Sequence, residues 1–266
     1  MREIRGEIER ALGDDLPVLI EGESGTGKGL IGQFLHKHSA HSEGPFLNLN
    51  CTAVPTGLLE GEMFGYEKGA AADVRETKSD SIAVASGGTL FLDEIGSMDL
   101  TLQQKLMRTL KSGHYRRIDG REDLVVKTRF VCAASIDLEA GLRNHALLEE
   151  LLGCFAHHRV CLLPLRERKE DIPQLCEYLL EKFARDFGRR VPHLSQRAVE
   201  AFQRWKWPGN IRELENWIAR IVIFGAEEVV GLEFNRQLAT GKEPTMGYHR
   251  AAHMTVGRER RLRRHR

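Results

Sequence analysis

Short apolar runs alternate with amphipathic stretches over the first 165 residues, and then the pattern changes. The runs fall at residues 17–20, 45–49, 89–92, 129–133 and 159–162. Each is four or five residues long and almost continuously apolar, as strands buried on both faces are. Between them lie helical periods such as Leu102, Leu106 and Leu110, an i, i+4, i+8 stripe suited to covering a sheet. Strand and helix signals in alternation predict an α/β unit built on a parallel sheet. Beyond Leu165 the strand signal stops. Residues 171–187 put Ile172, Leu175, Leu179 and Phe183 on one helical side, and Ser195 caps a helix turning Ala198, Val199 and Phe202 inward. Trp207, Pro208, Gly209 and Asn210 form a turn before a further helix over 211–223. From Thr240 onward no period is sustained. The expected organisation is an α/β subdomain over 1–165, a small all-helical subdomain over 166–239 and a mobile basic tail over 240–266.

Composition changes this picture little. Of 266 residues 41% are hydrophobic and 29% charged, the balance of a soluble globular chain. No run approaches the roughly 20 apolar residues of a membrane span, so no membrane partner is expected. Lys and Arg number 39 against 38 Asp and Glu, which excludes a polyelectrolyte made to seek nucleic acid along its whole length. The last ten residues, GRERRLRRHR, do concentrate arginine. Such a tail is read first as solvated; loose, salt-dependent phosphate binding is the alternative. The five cysteines, Cys51, Cys132, Cys154, Cys161 and Cys176, include no CxxC pair, so neither a disulfide framework nor a zinc ribbon fits. With no apolar leader in MREIRGEIER, the expected compartment is the reducing cytoplasm.

The candidate chemistry lies at two strand ends. Gly22, Glu23, Ser24, Gly25, Thr26, Gly27 and Lys28 follow the first apolar run and open a helix, the context a GxxxxGK phosphate loop needs. Glycines let backbone N–H groups turn toward phosphate oxygens, the helix end adds partial positive charge, and Lys28 supplies a point charge for the β- and γ-phosphates. Gly29 stands where many such loops carry Ser or Thr, so no hydroxyl reaches Mg²⁺ from there. The run at 89–92 ends in Asp93 and Glu94. Asp93 is a candidate to hold Mg²⁺ through water, and Glu94 to polarise the water attacking the γ-phosphate. His36, His38 and His41 cluster after the loop helix, but no nearby acid or cysteine completes a metal site, so they are read as surface histidines. Trp205 and Trp207 are read as core anchors rather than base-stacking platforms.

The segments GESGTGKG, LNLNCTAVPTGLLEGEMFGYEKGA, GGTLFLDEIGSM, LPLRERKEDI and WPGNIRELEN, in this order, closely resemble the AAA+ domain of sigma-54-dependent transcription activators, the bacterial enhancer-binding proteins. The resemblance covers residues 2–239. It implies a P-loop α/β core with a helical lid, and a ring-forming ATPase, hexameric or heptameric, whose nucleotide sits between subunits. It also implies ATP-driven loop movement that remodels RNA polymerase bound to sigma-54. By position, Asn50 is similar to the residue that restrains the catalytic glutamate, and Arg212 to the sensor II arginine that reaches the phosphates from the lid.

Three departures from the family pattern fall on its moving parts. Where the family carries GAFTGA for sigma-54 contact, this chain has Gly69, Ala70, Ala71, Ala72, Asp73 and Val74. Leu148 and Cys154 occupy the two positions of the arginines given to a neighbour's γ-phosphate; Arg143 or Arg159 is a less favoured candidate to substitute, both falling outside the register. The sensor I Thr-Asn pair becomes Ala134 and Ser135, leaving one hydroxyl able to bond a water. With both phosphate-site motifs intact, these changes imply retained ATP and Mg²⁺ binding with weakened turnover. No receiver module is expected ahead of Met1 and no helix-turn-helix in the tail, so DNA binding is expected to be weak or absent. The main expectation is an ATPase module of a sigma-54-dependent regulator. Its alternatives are a hydrolysis-impaired regulatory subunit that does not contact sigma-54, and a DNA-binding adaptor acting through the arginine tail.

Overall fold

The computed structural model describes residues 2–67, 80–135 and 138–224. The altered loop at 69–74 and the tail from Thr240 lie outside the described residues. The chain divides into two compact units. One comprises Met1–Lys169 and Lys206–Glu215, and the other Glu170–Trp205 with the described residues from Asn216.

In the first unit α1 (Arg2–Ala11) leads to β1 (Val18–Glu21), α2 (Lys28–Lys37), β2 (Phe46–Asn50), α3 (Thr56–Phe64), α4 (Ser81–Val84) and β3 (Thr89–Asp93). Next come α5 (Leu100–Ser112), a short antiparallel hairpin of β4 (His114–Tyr115) and β5 (Leu124–Val125), then β6 (Arg129–Ala134), α6 (Leu138–Arg143), α7 (Glu149–Gly153) and β7 (Arg159–Cys161). Five strands form one parallel sheet in the order β2–β3–β6–β1–β7. These are the five apolar runs of the sequence, and the parallel sheet flanked by helices is the fold they predicted.

Alternation along each strand sorts the side chains to two faces. Leu19, Leu90, Leu92, Phe130 and Cys132 point into a core with α3 and α5, where Leu102 and Leu106 supply the stripe. Val18, Ile20, Phe91, Val131 and Ala133 face the opposite way, toward Ala11 of α1 and Leu35 of α2. A Cβ on Gly32 would sit 2.5 Å from Phe91 Cδ2, so that glycine sets how closely α2 approaches β3. α5 begins at an N-cap, with Leu102 N donating to Asp99 Oδ1 at 2.8 Å, and ends at Gly113 with φ 68°. The β4–β5 hairpin was not anticipated; two residues per strand leave no periodicity to detect.

The strand order decides where chemistry can gather. β6 lies between β1 and β3, so the carboxyl ends of these three strands are neighbours, the edge where open parallel sheets bind ligands. Residues 22–28, Asp93 with Glu94, and Ser135 all stand at that edge.

The second unit is helical. In α8 (Ile172–Asp186) the residues Ile172, Cys176, Leu179, Leu180 and Ala184 are buried. Ser195 Oγ accepts from Ala198 N to cap α9 (Gln196–Arg204), which buries Phe202. The last described helix, α10 (Asn210–Phe224), starts in the first unit and continues into the second, where Trp217, Ile218, Ile221 and Val222 are buried. No described helix is long and apolar enough to cross a membrane.

Candidate nucleotide-binding site

Between the last residue of β1 and the first of α2 the backbone turns through three glycines at positive φ, Gly22, Gly25 and Gly27, the last at φ 103°. Gly25 has φ 79°, and a Cβ there would collide with Gly209 O. At Gly22, with φ 151°, a Cβ would lie 2.8 Å from Leu162 O. The amino end of α2 carries no side-chain cap. Its first N–H groups are therefore left for an anion, whose charge the helix dipole also favours.

Lys28 is only 6% exposed. Its Nζ donates to Gly22 O at 2.9 Å, to Glu23 O at 3.2 Å and to Ser135 Oγ, and lies 3.7 Å from Glu94 Oε1. Burial pulls its pKa below the usual lysine value, and the charges of Glu94 and Asp93 oppose that pull. Asp93 is pushed above its ordinary value by burial first and by the adjacent Glu94 second. A desolvated carboxylate beside a like charge is a hard oxygen donor that a divalent ion would relieve, so the residues present fit Mg²⁺.

Glu94 occupies left-handed backbone space, φ 63° and ψ 51°, a conformation costing a non-glycine residue on the order of 1 kcal/mol or more and commonest at functional sites. Its carboxylate accepts from Ser135 N at 2.9 Å and from Ser135 Oγ. The Ser135 hydroxyl is thus an internal bridge between Lys28 and Glu94. Asn50 pairs in register with Asp93, but its Oδ1 accepts from Thr52 N, Thr52 Oγ1 and Ala53 N at 2.7–3.3 Å. In this geometry Ser135 holds the glutamate, while Asn50 holds its own turn.

Arg212 reaches the loop, its Nη1 donating to Ser24 Oγ at 2.9 Å. Three residues that sequence reasoning did not single out join it. Arg166 makes a two-pronged pair with Glu23 at 2.7 and 2.8 Å, holding that carboxyl below its usual range. Buried Arg168 donates to Thr26 O at 2.9 Å, and Asn210, fully buried, donates to both Glu23 and Ser24. All three stand inside the LPLRERKEDI and WPGNIRELEN segments, so a signal was present without a role attached.

Leu148 and Cys154 are partly buried and pack against the main core. Leu148 N also donates to Gln103 Oε1 at 3.0 Å. Arg159 is committed to Glu21 at 2.6 Å, and Arg143 ends α6 at the surface. His36 departs from the surface position expected of it. It is 7% exposed, with Nδ1 3.0 Å from Thr89 Oγ1, because the helical turn that exposes His38 carries position 36 back against the sheet. Trp207 is fully buried at φ 50°.

Residues 1–160 match the sigma-54 interaction domain, and residues 166–246 match an AAA+ ATPase lid domain. The chain is 40% identical over 233 residues to the DNA-binding transcriptional regulator NtrC of Azospirillum brasilense, a span covering 88% of this chain and 48% of that protein. To the regulatory protein AtoC of Escherichia coli K12 it is 40% identical over 213 residues, 80% of this chain and 46% of AtoC. The chain therefore spans about half the length of the curated relatives it matches. A crystal structure of NtrX from Brucella abortus in complex with ATP is similar at a TM-score of 0.78 and 29% identity, covering 86% of this chain and 50% of that one. With a sigma-54 interaction domain over most of its length and a helical AAA+ lid after it, this chain belongs to the AAA+ family of sigma-54-dependent transcription activators.

Proposed function

We propose that the chain is the ATP-binding AAA+ module of a sigma-54-dependent transcriptional regulator, with residues 1–165 as nucleotide-binding subdomain and 166–239 as lid. One observation carries the reading. Lys28, Asp93 and Glu94 converge at the carboxyl edge of the sheet beside a glycine-rich turn with an uncapped helix behind it. That a related protein, NtrX, has been crystallised in complex with ATP and with ADP supports it.

Bound Mg²⁺ would polarise the β–γ phosphate linkage. The chain's own residues do the rest. The amides of Gly25, Gly27, Lys28 and Gly29 and the ammonium of Lys28 receive the phosphates, and Asp93 holds the ion. Arg212 couples α10 to the loop. Glu94, released from Ser135, accepts a proton at its carboxylate from the attacking water. By family membership the working form is a ring of six or seven subunits, and its target is RNA polymerase bound to sigma-54.

A second reading is favoured by Leu148 and Cys154 lying against the core. A subunit with these residues takes arginines from a neighbour and returns none, so rings of this chain alone bind ATP and turn it over slowly. Isothermal calorimetry with MgATP beside steady-state phosphate release separates the readings. Binding with turnover at family rates supports the ATPase, binding with little turnover supports the regulatory subunit, and no binding of any adenine nucleotide refutes both.

A further inference from the structure

The outer side of the phosphate loop is tied residue by residue. The first N–H groups of a helix have no partner within it. In α10 those of Ile211 and Arg212 donate to Gly25 O at 2.9 and 3.3 Å, so a carbonyl of the loop caps the helix. The helix returns the contact. Asn210 Nδ2 donates to Ser24 O at 3.0 Å and Glu23 Oε2 at 3.1 Å, while its Oδ1 accepts from Leu165 N at 2.8 Å. Arg168 takes Thr26 O at 2.9 Å, and Arg166 fixes the Glu23 carboxylate that Asn210 shares.

In a trans peptide the C=O of one residue and the N–H of the next point in opposite directions. Holding the carbonyls of Ser24 and Thr26 outward therefore turns the N–H groups of Gly25 and Gly27 the other way, into the concave side of the loop. Successive amides aimed into one concavity are what binds a phosphate. The clamp is thus a device for aiming donors. Asn210 suits its position on two counts. Its side chain supplies a donor and an acceptor at once, and its backbone, at φ 52°, is one that Asn and Asp tolerate better than other side chains.

We propose that Asn210 is a positioning residue of the phosphate loop, acting with the Glu23–Arg166 pair and Arg168 to set the loop amides for phosphate before nucleotide arrives. The proposal rests on the nucleotide-site reading above and adds residues to which that reading gave no part.

Asn210→Asp tests it, because the shape and the bond from Leu165 N survive while a carboxylate is forced against Glu23 and Ser24 O. Calorimetry with MgATPγS on the full chain should show affinity lowered more than about tenfold, some 1.4 kcal/mol. Adding Glu23→Gln relieves the clash at residue 23 but leaves Ser24 O without its donor, so the double variant should recover only part of the lost affinity. Amide exchange read at Ile211 and Arg212 without nucleotide should quicken in Asn210→Asp and recover in part in the double variant. Parental affinity in a folded Asn210→Asp protein overturns the proposal, as does parental affinity in the double variant, where Ser24 O still lacks its donor. Should Asn210→Asp fail to fold, Arg166→Ala decides, since that side chain is 39% exposed. Unchanged affinity there overturns the proposal, and a fall of about threefold or more upholds it. If the unaltered chain takes up no nucleotide, the site reading itself fails, and the exchange measurement still judges the clamp.

Discussion

Lys28 and His36 are both buried on α2, yet burial acts on them through different neighbours. Burial lowers the pKa of Lys28, and two acids close by oppose that pull while three acceptors take its N–H groups. Replacing it with Met removes the cation beside Glu94 and the charge offered to the nucleotide phosphates, so MgATP affinity by calorimetry should fall at least about tenfold. His36 has the opposite setting. Burial lowers its pKa from the ordinary 6.5, with His41 and Lys37 adding to the effect. Below pH about 6.5 the unfolded chain then binds a proton that the folded chain refuses, so stability declines as pH falls toward the folded pKa and levels off beneath it. Urea midpoints for the parent should drop between pH 7.5 and 5.5 more than those of His36→Gln, which keeps a hydrogen-bonding group near Thr89. Parallel pH profiles for the two proteins would assign the loss to another group.

The packing of α2 on β3 shows the same contrast between elements. Gly29 has no atom within 4 Å of the position its Cβ would take, whereas at Gly32 that position meets the ring of fully buried Phe91. Gly29→Ala should therefore gain up to about 1 kcal/mol from helix propensity, and Gly32→Ala should lose about 1–3 kcal/mol from overpacking. Denaturation midpoints read both, and a loss at Gly29 with a gain at Gly32 would reverse the account. Much of this architecture was legible. Each sheet strand is an apolar run, and Lys28, Asp93 and Glu94 sit at strand ends that spacing alone marks. The order of the strands was not, because a crossover leaves no trace in periodicity. Nor was the clamp legible from pattern. Asn210, Arg166 and Arg168 act mainly on carbonyls and a carboxylate far away in the chain, and a bond to a backbone atom imposes no residue type on its partner. His36 was misread for a related reason, since three histidines at close spacing look like one surface cluster until the helix turn separates them.

At the scale of the whole molecule the decisive question is what this chain gives its neighbours. An arginine supplied across a subunit boundary is worth on the order of 10³–10⁵ in rate among well-studied phosphoryl-transfer enzymes. On the register read from the sequence, Leu148 and Cys154 would take the two positions that supply it, and both are packed on the core rather than held out in solvent. The proposed nucleotide site, by contrast, has Lys28, Asp93, Glu94 and Arg212 together in a single unit. On the regulatory-subunit reading the pure chain should bind MgATP yet hydrolyse it slowly, and Leu148→Arg with Cys154→Arg should raise phosphate release at least about tenfold without tightening binding. Mixing sharpens the test. When this chain enters a ring of an intact relative, each copy deprives one neighbouring site of its arginines. Hydrolysis should fall in proportion to the fraction of this chain if the interfaces act independently, and more steeply if they are coupled around the ring. The double-arginine variant at the same fraction should leave the rate close to that of the relative alone. Undiminished hydrolysis in mixtures shown by native mass spectrometry to contain mixed rings would remove the idea of a withholding subunit, and rapid turnover by the pure chain would mean that another arginine serves in place of the missing pair.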